Sequence, residues 1–438
     1  MDYKVLFIFS LIVVVSLGAK TYDGYKLFRI IPKSENEVKL IKNLNEEGIE
    51  FWDDTFFVND DVRVMVAPNK QGIFEDMIRK ADIEYYYSCS YYKINSASIR
   101  NSEVLLSMNW AHYHDLDSIN NWLDELAENY PDIVTTEIMG TSVEGRQIKG
   151  IIINYNRGRD VTQFGMIEGT LHAREWISPA VVNWVIKEFL TSTDPEVREM
   201  AENFEWHIFP VVNPDGYFYT FTEDRMWRKN RSKASFTNCT GDDDMSNAIG
   251  AVQDPCSNTY AGPTPLSEPE SLSIANYVNR LNERGNLIYY FAFHSYTQLI
   301  IIPYSHLLTV NDPGLPSDYA NMVTQRGRDA MYLRYNTTFT VGISADVMYP
   351  MSGTSFDWVK LATDVPVCYL IELRDQGTYG FLLAPDQIIP SGLETVDGLV
   401  AMHKRAGELE YYKLISSGAM VLHSLVLIVS GIVVLKVL

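Results

Sequence analysis

An imidazole and a carboxylate stand three residues apart in the run Gly169–Ile177, which contains His172 and Glu175. In a tight turn or in the first turn of a helix, side chains at positions i and i+3 lie on one face, so these two can converge on one cation. Such ligands suit zinc, whose catalytic sites take three protein ligands and leave one position for water. The best candidate for the third ligand is His294, where an apolar run ends at a polar corner.

Further polar motifs follow along the chain. Four cationic side chains lie between Arg225 and Arg231, Met348-Tyr349 opens a loop with glycine and serine, and Glu372 ends an apolar run. In this order, the motifs resemble those of the zinc metallocarboxypeptidases of the pancreatic carboxypeptidase A/B type. The resemblance covers nearly the whole chain between its two hydrophobic ends.

The resemblance implies a role for each matched residue. His172, Glu175 and His294 would bind one Zn²⁺ per chain, and Glu372 would be the general base that takes a proton from the attacking water. Arg228 would stabilise negative charge on the tetrahedral intermediate, whereas the cationic residues around it could form no more than a solvated or glycan-flanked face. The residues that would contact the substrate are Arg174, Tyr296, Tyr349, Phe356 and Phe381.

Glu372 lies two residues before Arg374. The alternative to a catalytic role for a carboxylate in this segment is therefore an ion pair with Arg374. Asp375 suits a pairing with Arg374 better than Glu372 does. The apolar neighbours Tyr369–Ile371 favour a raised pKa for Glu372, which suits a general base.

The type of substrate depends on Phe356, which stands where relatives that cleave basic residues carry an aspartate. An aromatic side chain cannot neutralise a C-terminal Lys or Arg. We therefore expect a preference for apolar or aromatic C-terminal residues.

One family motif is missing. The family binds the α-carboxylate of the substrate with an adjacent Asn-Arg pair shortly after the first bridging cysteine, and here Met245-Ser246 take that place. A desolvated bidentate arginine contact contributes about 2–4 kcal/mol, so recognition of the chain end is weakened. Three explanations stay open: an active enzyme with weakened or altered terminal recognition, a zinc-binding pseudoenzyme that binds peptides, or a gene model that lacks part of an exon. An enzyme that no longer needs a chain end would act as an endopeptidase.

The composition excludes several partners. The 438 residues carry 56 acidic and 36 basic side chains, for a formal net charge of −20. Nucleic acids and anionic membrane surfaces bind basic patches, so neither is expected here. The expected partners are peptides or proteins with a free C-terminus and an activating protease.

Both ends of the chain are apolar. Residues 1–19 have the pattern of a secretory signal peptide, with Lys4 before an apolar stretch and Gly18-Ala19 at its end. Residues 414–438 form a second apolar segment, for which a GPI-attachment signal and a transmembrane helix both stay open. The protein is expected to be secreted, or held at the cell surface by this tail.

Sequons and cysteines also favour export. Sequons occur at Asn230, Asn238 and Asn336. Cys239 and Cys256 bracket a polar loop and are the natural disulfide pair in an oxidising compartment, and the resemblance implies the same bridge. Cys368 lies in an apolar run and is predicted to be a buried free thiol.

The chain divides into two units. Residues 20–105 follow the order β-α-β-α-β, which predicts a small open α/β sandwich. The resemblance implies that this unit is an activation propeptide, which covers the active-site cleft until cleavage at Arg100 or Lys93; a permanently attached domain is the alternative. Residues 106–413 alternate buried strand patterns with helices, which predicts a mixed, mainly parallel twisted sheet with helices on both faces. The metal ligands and Glu372 are expected at the carboxyl ends of its strands.

Overall fold

The structure of the protein is a computed structural model that describes residues 22, 24–44, 47–52, 56–90, 104–158, 161–233, 252, 254–306 and 318–414. Outside these residues lie the predicted signal peptide and C-terminal tail, Lys93, Arg100, Asn238, Cys239 and Met245-Ser246. Within the described ranges, no helix is both long and apolar enough to span a membrane.

The N-terminal unit is an antiparallel sheet that shares one hydrophobic core with two helices. Its elements are β1 (Lys26–Ile31), α1 (Glu35–Lys42), β2 (Ile49–Phe51), β3 (Val62–Val66), α2 (Gln71–Lys80) and β4 (Glu84–Ser90). The strand order is β2-β3-β1-β4, with antiparallel pairing throughout. This unit confirms the predicted open α/β sandwich, with β2 as an additional strand.

A mixed sheet of eight strands forms the centre of the larger unit. A short hairpin of β5 (Val104–Leu105) and β6 (Met108–Asn109) precedes it. The eight strands are β7 (Val134–Thr141), β8 (Gln147–Ile153), β9 (Gln163–Gly169), β10 (Glu205–Phe209), β11 (Asn286–Ser295), β12 (Leu299–Ile302), β13 (Thr340–Ile343) and β14 (Val367–Leu373). Their order is β13-β12-β14-β11-β9-β10-β8-β7. The central strands β14, β11, β9 and β10 are parallel.

Helices cover both faces of this sheet. They are α3 (Leu116–Asn129), α4 (Ile177–Thr191), α5 (Pro195–Glu202), α6 (Pro214–Thr222), α7 (Pro269–Arg284), α8 (Asp318–Tyr335), α9 (Ser344–Val347), α10 (Ser355–Ala362) and α11 (Ile388–Glu408). One core lies between the sheet and α3, α4, α5, α8 and α11, and a second lies between the sheet and α7 and α10. The predicted architecture of a mainly parallel sheet between helices is confirmed.

The parallel strands bring the candidate site residues to one edge of the sheet. His294 near the end of β11 pairs with Glu372 near the end of β14. Paired residues in a parallel sheet point to the same face, so these two side chains lie side by side. His172 and Glu175 lie in the turn that connects the carboxyl end of β9 to α4.

Candidate active site

His172, Glu175 and His294 converge on one point. His172 Nδ1 lies 2.7 Å from Glu175 Oε1 and 3.1 Å from His294 Nδ1. His294 Nδ1 lies 3.1 Å from Glu175 Oε2. Among the described residues, this is the only group of three or more His, Cys, Asp or Glu side chains whose ligand atoms lie close enough together to share one metal ion. The structure therefore brings together the three side chains that the sequence suggested as ligands.

The donor atoms fit a tetrahedral zinc ion. Zinc–ligand bonds of about 2.0–2.1 Å place neighbouring ligand atoms about 3.3–3.4 Å apart, and two of the observed separations are 3.1 Å. The Nδ1 atoms of His172 and His294 face each other, and at most one proton can lie between them. A cation bound by both nitrogens would satisfy the lone pair of each ring. Burial, together with the charge of Arg228, lowers the pKa of His172 to about 3, which leaves its ring neutral and able to act as a ligand.

A network of hydrogen bonds holds the turn that carries His172 and Glu175. Ser178 Oγ accepts from the Thr170 N–H at 2.9 Å and donates to the Phe293 carbonyl at 2.6 Å. The start of α4 is thereby tied to the end of β9 and to β11 beside His294. Glu175 Oε2 also accepts from the Ser295 N–H at 3.2 Å, which orients the carboxylate.

Glu372 lies next to this cluster and is 9% exposed. Burial lowers the pKa of His294, but the negative charges of Glu175 and, more weakly, Glu372 outweigh burial, so the pKa is raised. The Glu372 carboxylate thus lies beside His294, its partner on the neighbouring strand.

Arg374 is held by a different carboxylate. Its Nε donates to Glu394 Oε1 at 2.7 Å, and Glu394 is almost fully buried. Asp375 instead accepts backbone N–H groups from the segment 377–380 at distances of 2.7–3.0 Å. The alternative in which Arg374 pairs with Glu372 or Asp375 is therefore wrong.

Arg228 lies in a segment that runs beside the metal-binding turn. The backbone of its segment contacts the metal-binding turn directly: the Ala173 N–H donates to the Arg228 carbonyl at 2.9 Å. The same segment thus carries a cation to the edge of the candidate metal centre.

The cationic neighbours of Arg228 are partly buried and contact other parts of the protein. Arg225 lies 3.7 Å from the Trp176 ring and donates to the Arg174 carbonyl at 2.9 Å. Lys229 Nζ donates to the Pro255 carbonyl at 2.5 Å. Arg231 packs over two aromatic rings, those of Tyr219 and Trp227. Each of these three partly buried side chains therefore contacts an aromatic ring or a backbone carbonyl of the protein.

Three predicted substrate-binding residues, Arg174, Tyr296 and Phe381, lie together. The Arg174 guanidinium lies 4.1 Å from the centre of the Phe381 ring, and the Tyr296 and Phe381 rings are 4.8 Å apart. Trp52 of the N-terminal unit packs on both rings, at centroid distances of 5.7 Å and 5.2 Å. Its carbonyl accepts from Arg174 Nη2 at 2.7 Å. The N-terminal unit therefore covers this part of the site.

Two further residues of the N-terminal unit, Arg63 and Tyr22, contact the larger unit. Arg63 Nη2 donates to the Gln376 carbonyl at 3.2 Å, and its guanidinium lies 5.2 Å from the centre of the Tyr296 ring. The Tyr22 hydroxyl donates to Asp224 Oδ1 at 2.7 Å. Trp52, Arg63 and Tyr22 thus contact the larger unit around the same edge of the sheet.

Tyr349 and Phe356, the other predicted substrate contacts, lie apart from this cluster. Tyr349 is 37% exposed and follows α9, and its carbonyl accepts from Ser344 Oγ at 2.5 Å. Phe356 is fully buried in the core shared by α7 and α10. The neighbouring Asp357 accepts from the Ser305 N–H at 2.8 Å. Phe356 packs within this core, and its effect on specificity stays a prediction.

The structure describes two of the four cysteines at side-chain level. Cys368 is a buried free thiol, as predicted. Cys256 is disulfide-bonded, and its predicted partner Cys239 lies outside the described residues.

Sequence reasoning missed three residues that shape the site: Trp52, Arg225 and Asn213. Trp52 and Arg225 act through contacts that no local pattern indicates. Asn213 had a readable signal, because an Asn directly before Pro214 is typical of a helix N-cap. Its side chain caps α6 by accepting from the Gly216 N–H.

Comparison with known sequences identifies the family. The profile of the zinc carboxypeptidases matches residues 119–398, and the profile of the carboxypeptidase activation peptide matches residues 28–88. The chain therefore belongs to the zinc carboxypeptidase family, with an activation peptide at its N-terminal side.

Individual relatives cover most of the chain. It is 36% identical over 406 residues to zinc carboxypeptidase A 1 of Anopheles gambiae, which covers 89% of this chain and 92% of the relative. It is 32% identical over 400 residues to carboxypeptidase B of Rattus norvegicus, covering 86% and 92%. These relatives support a peptide hydrolase of the carboxypeptidase type.

Solved structures show the same fold. The thrombin activatable fibrinolysis inhibitor superposes with a TM-score of 0.75 at 25% identity, covering 88% of this chain and 99% of that one. Carboxypeptidase A of Helicoverpa armigera superposes with a TM-score of 0.68 at 24% identity, covering 89% and 99%.

Proposed function

We propose that this protein is the secreted zymogen of a carboxypeptidase that hydrolyses the last peptide bond of peptides with apolar or aromatic C-terminal residues. The main support is the convergence of His172, Glu175 and His294 on one point, with Glu372 on the neighbouring strand. This combination provides three ligands and a separate carboxylate, as metal-assisted peptide hydrolysis requires.

Each residue has a distinct task in the proposed reaction. His172, Glu175 and His294 hold one Zn²⁺, which when bound supplies Lewis-acid chemistry by activating water and polarising the scissile carbonyl. Glu372 takes the proton of the attacking water and returns it to the leaving amine. Arg228 stabilises the oxygen that becomes negative as the carbonyl is attacked.

The remaining residues bind the peptide. Tyr349 hydrogen-bonds the terminal part of the substrate, and Phe356 makes the wall for its last side chain apolar. Arg174 binds the substrate carboxylate, and in the zymogen the Trp52 carbonyl occupies its Nη2 donor instead. Removal of the N-terminal unit frees this guanidinium for the substrate.

The first experiment compares a peptide that ends in a free Phe with the same peptide amidated at its C-terminus. We expect the zinc-loaded mature protein to release Phe from the free acid only, and to release C-terminal Lys at least tenfold more slowly, because an apolar pocket leaves a buried ammonium unpaired. Loss of the Asn-Arg pair lowers kcat/KM by about thirtyfold to a thousandfold relative to a protein with the full anchor.

Three results contradict parts of this proposal. Equal cleavage of the free and amidated peptides would mean an endopeptidase. Preferential release of Lys would overturn the role of Phe356. If the protein binds zinc but shows no chelator-sensitive cleavage, the remaining alternative is a pseudoenzyme that binds peptides.

Export implies further covalent features. The proposed partner of Cys256 is Cys239, in a disulfide that closes a polar loop.

Attachment to a membrane through residues 414–438 remains a prediction. Treatment of intact cells with a GPI-specific phospholipase would test it. Release of the protein into the medium supports the lipid anchor, and retention on the cells supports a transmembrane helix.

Glycosylation is expected at Asn336 and not at Asn230. Asn336 is exposed directly after α8, whereas Asn230 Nδ2 donates to two carboxylates, Glu268 at 2.5 Å and Glu270 at 3.0 Å. A glycan would replace one of the two hydrogens on Asn230 Nδ2, so at least one of these hydrogen bonds would be lost. Site-specific mass spectrometry of the secreted protein, with Asn336→Gln as the control, measures occupancy; an active protein that carries a glycan on Asn230 would contradict the prediction.

A further inference from the structure

Asn213 is a buried side chain that joins the metal-binding turn to the segment of Arg228. It is 2% exposed. Its Nδ2 donates to the carbonyls of Leu171 and Lys229, each at 3.1 Å. Leu171 precedes His172, and Lys229 follows Arg228. A single amide group therefore contacts the neighbours of a proposed zinc ligand and of the proposed oxyanion-stabilising cation.

A second hydrogen bond joins the same two segments. The Ala173 N–H donates to the Arg228 carbonyl at 2.9 Å. Both neighbours of His172 are therefore connected to the segment 228–229 by hydrogen bonds: Ala173 directly, and Leu171 through the Asn213 side chain. The spacing between the metal-binding turn and Arg228 is set by these bonds.

The N-terminus of α6 supports this connection. Asn213 Oδ1 accepts from the Gly216 N–H at 3.0 Å, which fixes the amide plane. A Cβ atom at Gly216 would lie 2.5 Å from the Lys229 carbonyl oxygen and 2.7 Å from Asn213 Nδ2. The segment 228–229 therefore lies directly against the first turn of α6, with no room for a side chain between them.

We propose that Asn213 is a positioning residue for peptide hydrolysis, whose amide sets the distance between the zinc held by His172 and the guanidinium of Arg228. The proposal rests on the proposed function. Stabilisation of the transition state depends on a charge that is already in place when the oxyanion forms. Asn213 contacts neither substrate nor metal and acts through Arg228.

The test variant is Asn213→Ser in the mature, zinc-loaded protein. A serine hydroxyl still caps a helix well, but it cannot replace the two donors of the amide. Asn213→Thr is a second variant of the same kind, in case the first fails to fold. The matched control is Asp194→Ser, which exchanges the N-cap of α5, where Asp194 accepts from the Glu196 N–H.

Asn213→Ser is expected to lower kcat for release of a C-terminal Phe by about tenfold to a hundredfold, as lost positioning does, with KM changed less than about twofold. Zinc content should match that of Asp194→Ser. In an Arg228→Ala background, Asn213→Ser should have little further effect, because residues that act as one unit are not additive. Independent, multiplicative effects of the two substitutions would overturn the proposal, as would an unchanged kcat.

A binding measurement separates this proposal from the proposed function. A phosphonate peptide mimics the tetrahedral anion, and its affinity for the zinc-loaded protein reports the position of Arg228 without turnover. We expect Asn213→Ser to weaken phosphonate binding by about tenfold, while binding of a neutral amide analogue of the substrate is unchanged. Equal losses for both ligands would overturn the positioning role. A wild-type protein that binds zinc but neither cleaves peptides nor binds the phosphonate would overturn the proposed function, and this inference with it.

Discussion

Glu372→Gln in the zinc-loaded mature protein is expected to lower kcat for release of a C-terminal Phe by roughly 10²–10⁴-fold, the usual contribution of a general base. Glutamine has nearly the same shape but cannot take a proton from water. Its side chain stays on β14 beside His294, so zinc content and KM should change little. Steady-state kinetics with metal analysis of both proteins measures the effect.

The matched control is Glu188→Gln, a partly buried carboxylate on α4 that pairs with Lys187. It should leave kcat unchanged. A Glu372→Gln protein as active as the wild type would place the base elsewhere. If the substitution instead removed zinc, Glu372 would belong to the ligand set rather than to the proton-transfer step.

The central strands could be predicted from the sequence because both of their faces are buried. Runs such as Asn286–Phe293 are almost continuously apolar, which is the pattern of a parallel strand covered by helices on both sides. The same property explains why Cys368 was correctly predicted as a buried thiol. His172, His294 and Glu372 lie where these patterns end, so their edge of the sheet could be predicted as well.

The outer strands were missed for physical reasons. β7 is an edge strand in which buried and exposed residues do not alternate regularly. β12 and β13 span only 4 residues each. In the N-terminal unit, β2 spans three residues, too few to show a period of two.

Contacts between distant segments could not be predicted where no motif indicates them. The hydrogen bonds of Asn213 reach carbonyls in two other segments, and local sequence indicates only its role as a helix cap. The residues Arg225, Lys229 and Arg231 form an apparent surface patch in the sequence, but each contacts an aromatic ring or a backbone carbonyl in the fold. Charge clusters in a sequence do not reveal which of their members face solvent.

Trp52→Ala is expected to raise the activity of the uncleaved chain by at least tenfold. Trp52 is 2% exposed and packs on the rings of the larger unit's Tyr296 and Phe381. An aromatic side chain at the centre of an interface commonly contributes about 2–4 kcal/mol, or roughly thirtyfold to a thousandfold in affinity. Its loss weakens the hold of the N-terminal unit and exposes Arg174. Hydrolysis of a short peptide by intact protein, with cleavage monitored by gel, measures the effect.

The substitution tests the interface rather than the stability of the N-terminal unit, because Trp52 belongs to a cluster separate from that unit's own core. Phe57→Ala is the control, since Phe57 is an aromatic residue of the same unit that is 60% exposed. It should leave the uncleaved chain inactive. If Trp52→Ala also leaves it inactive, the contacts of Arg63 and Tyr22 suffice to cover the cleft. If both variants gain activity equally, general loosening of the unit is the cause, and Trp52 has no special part in inhibition.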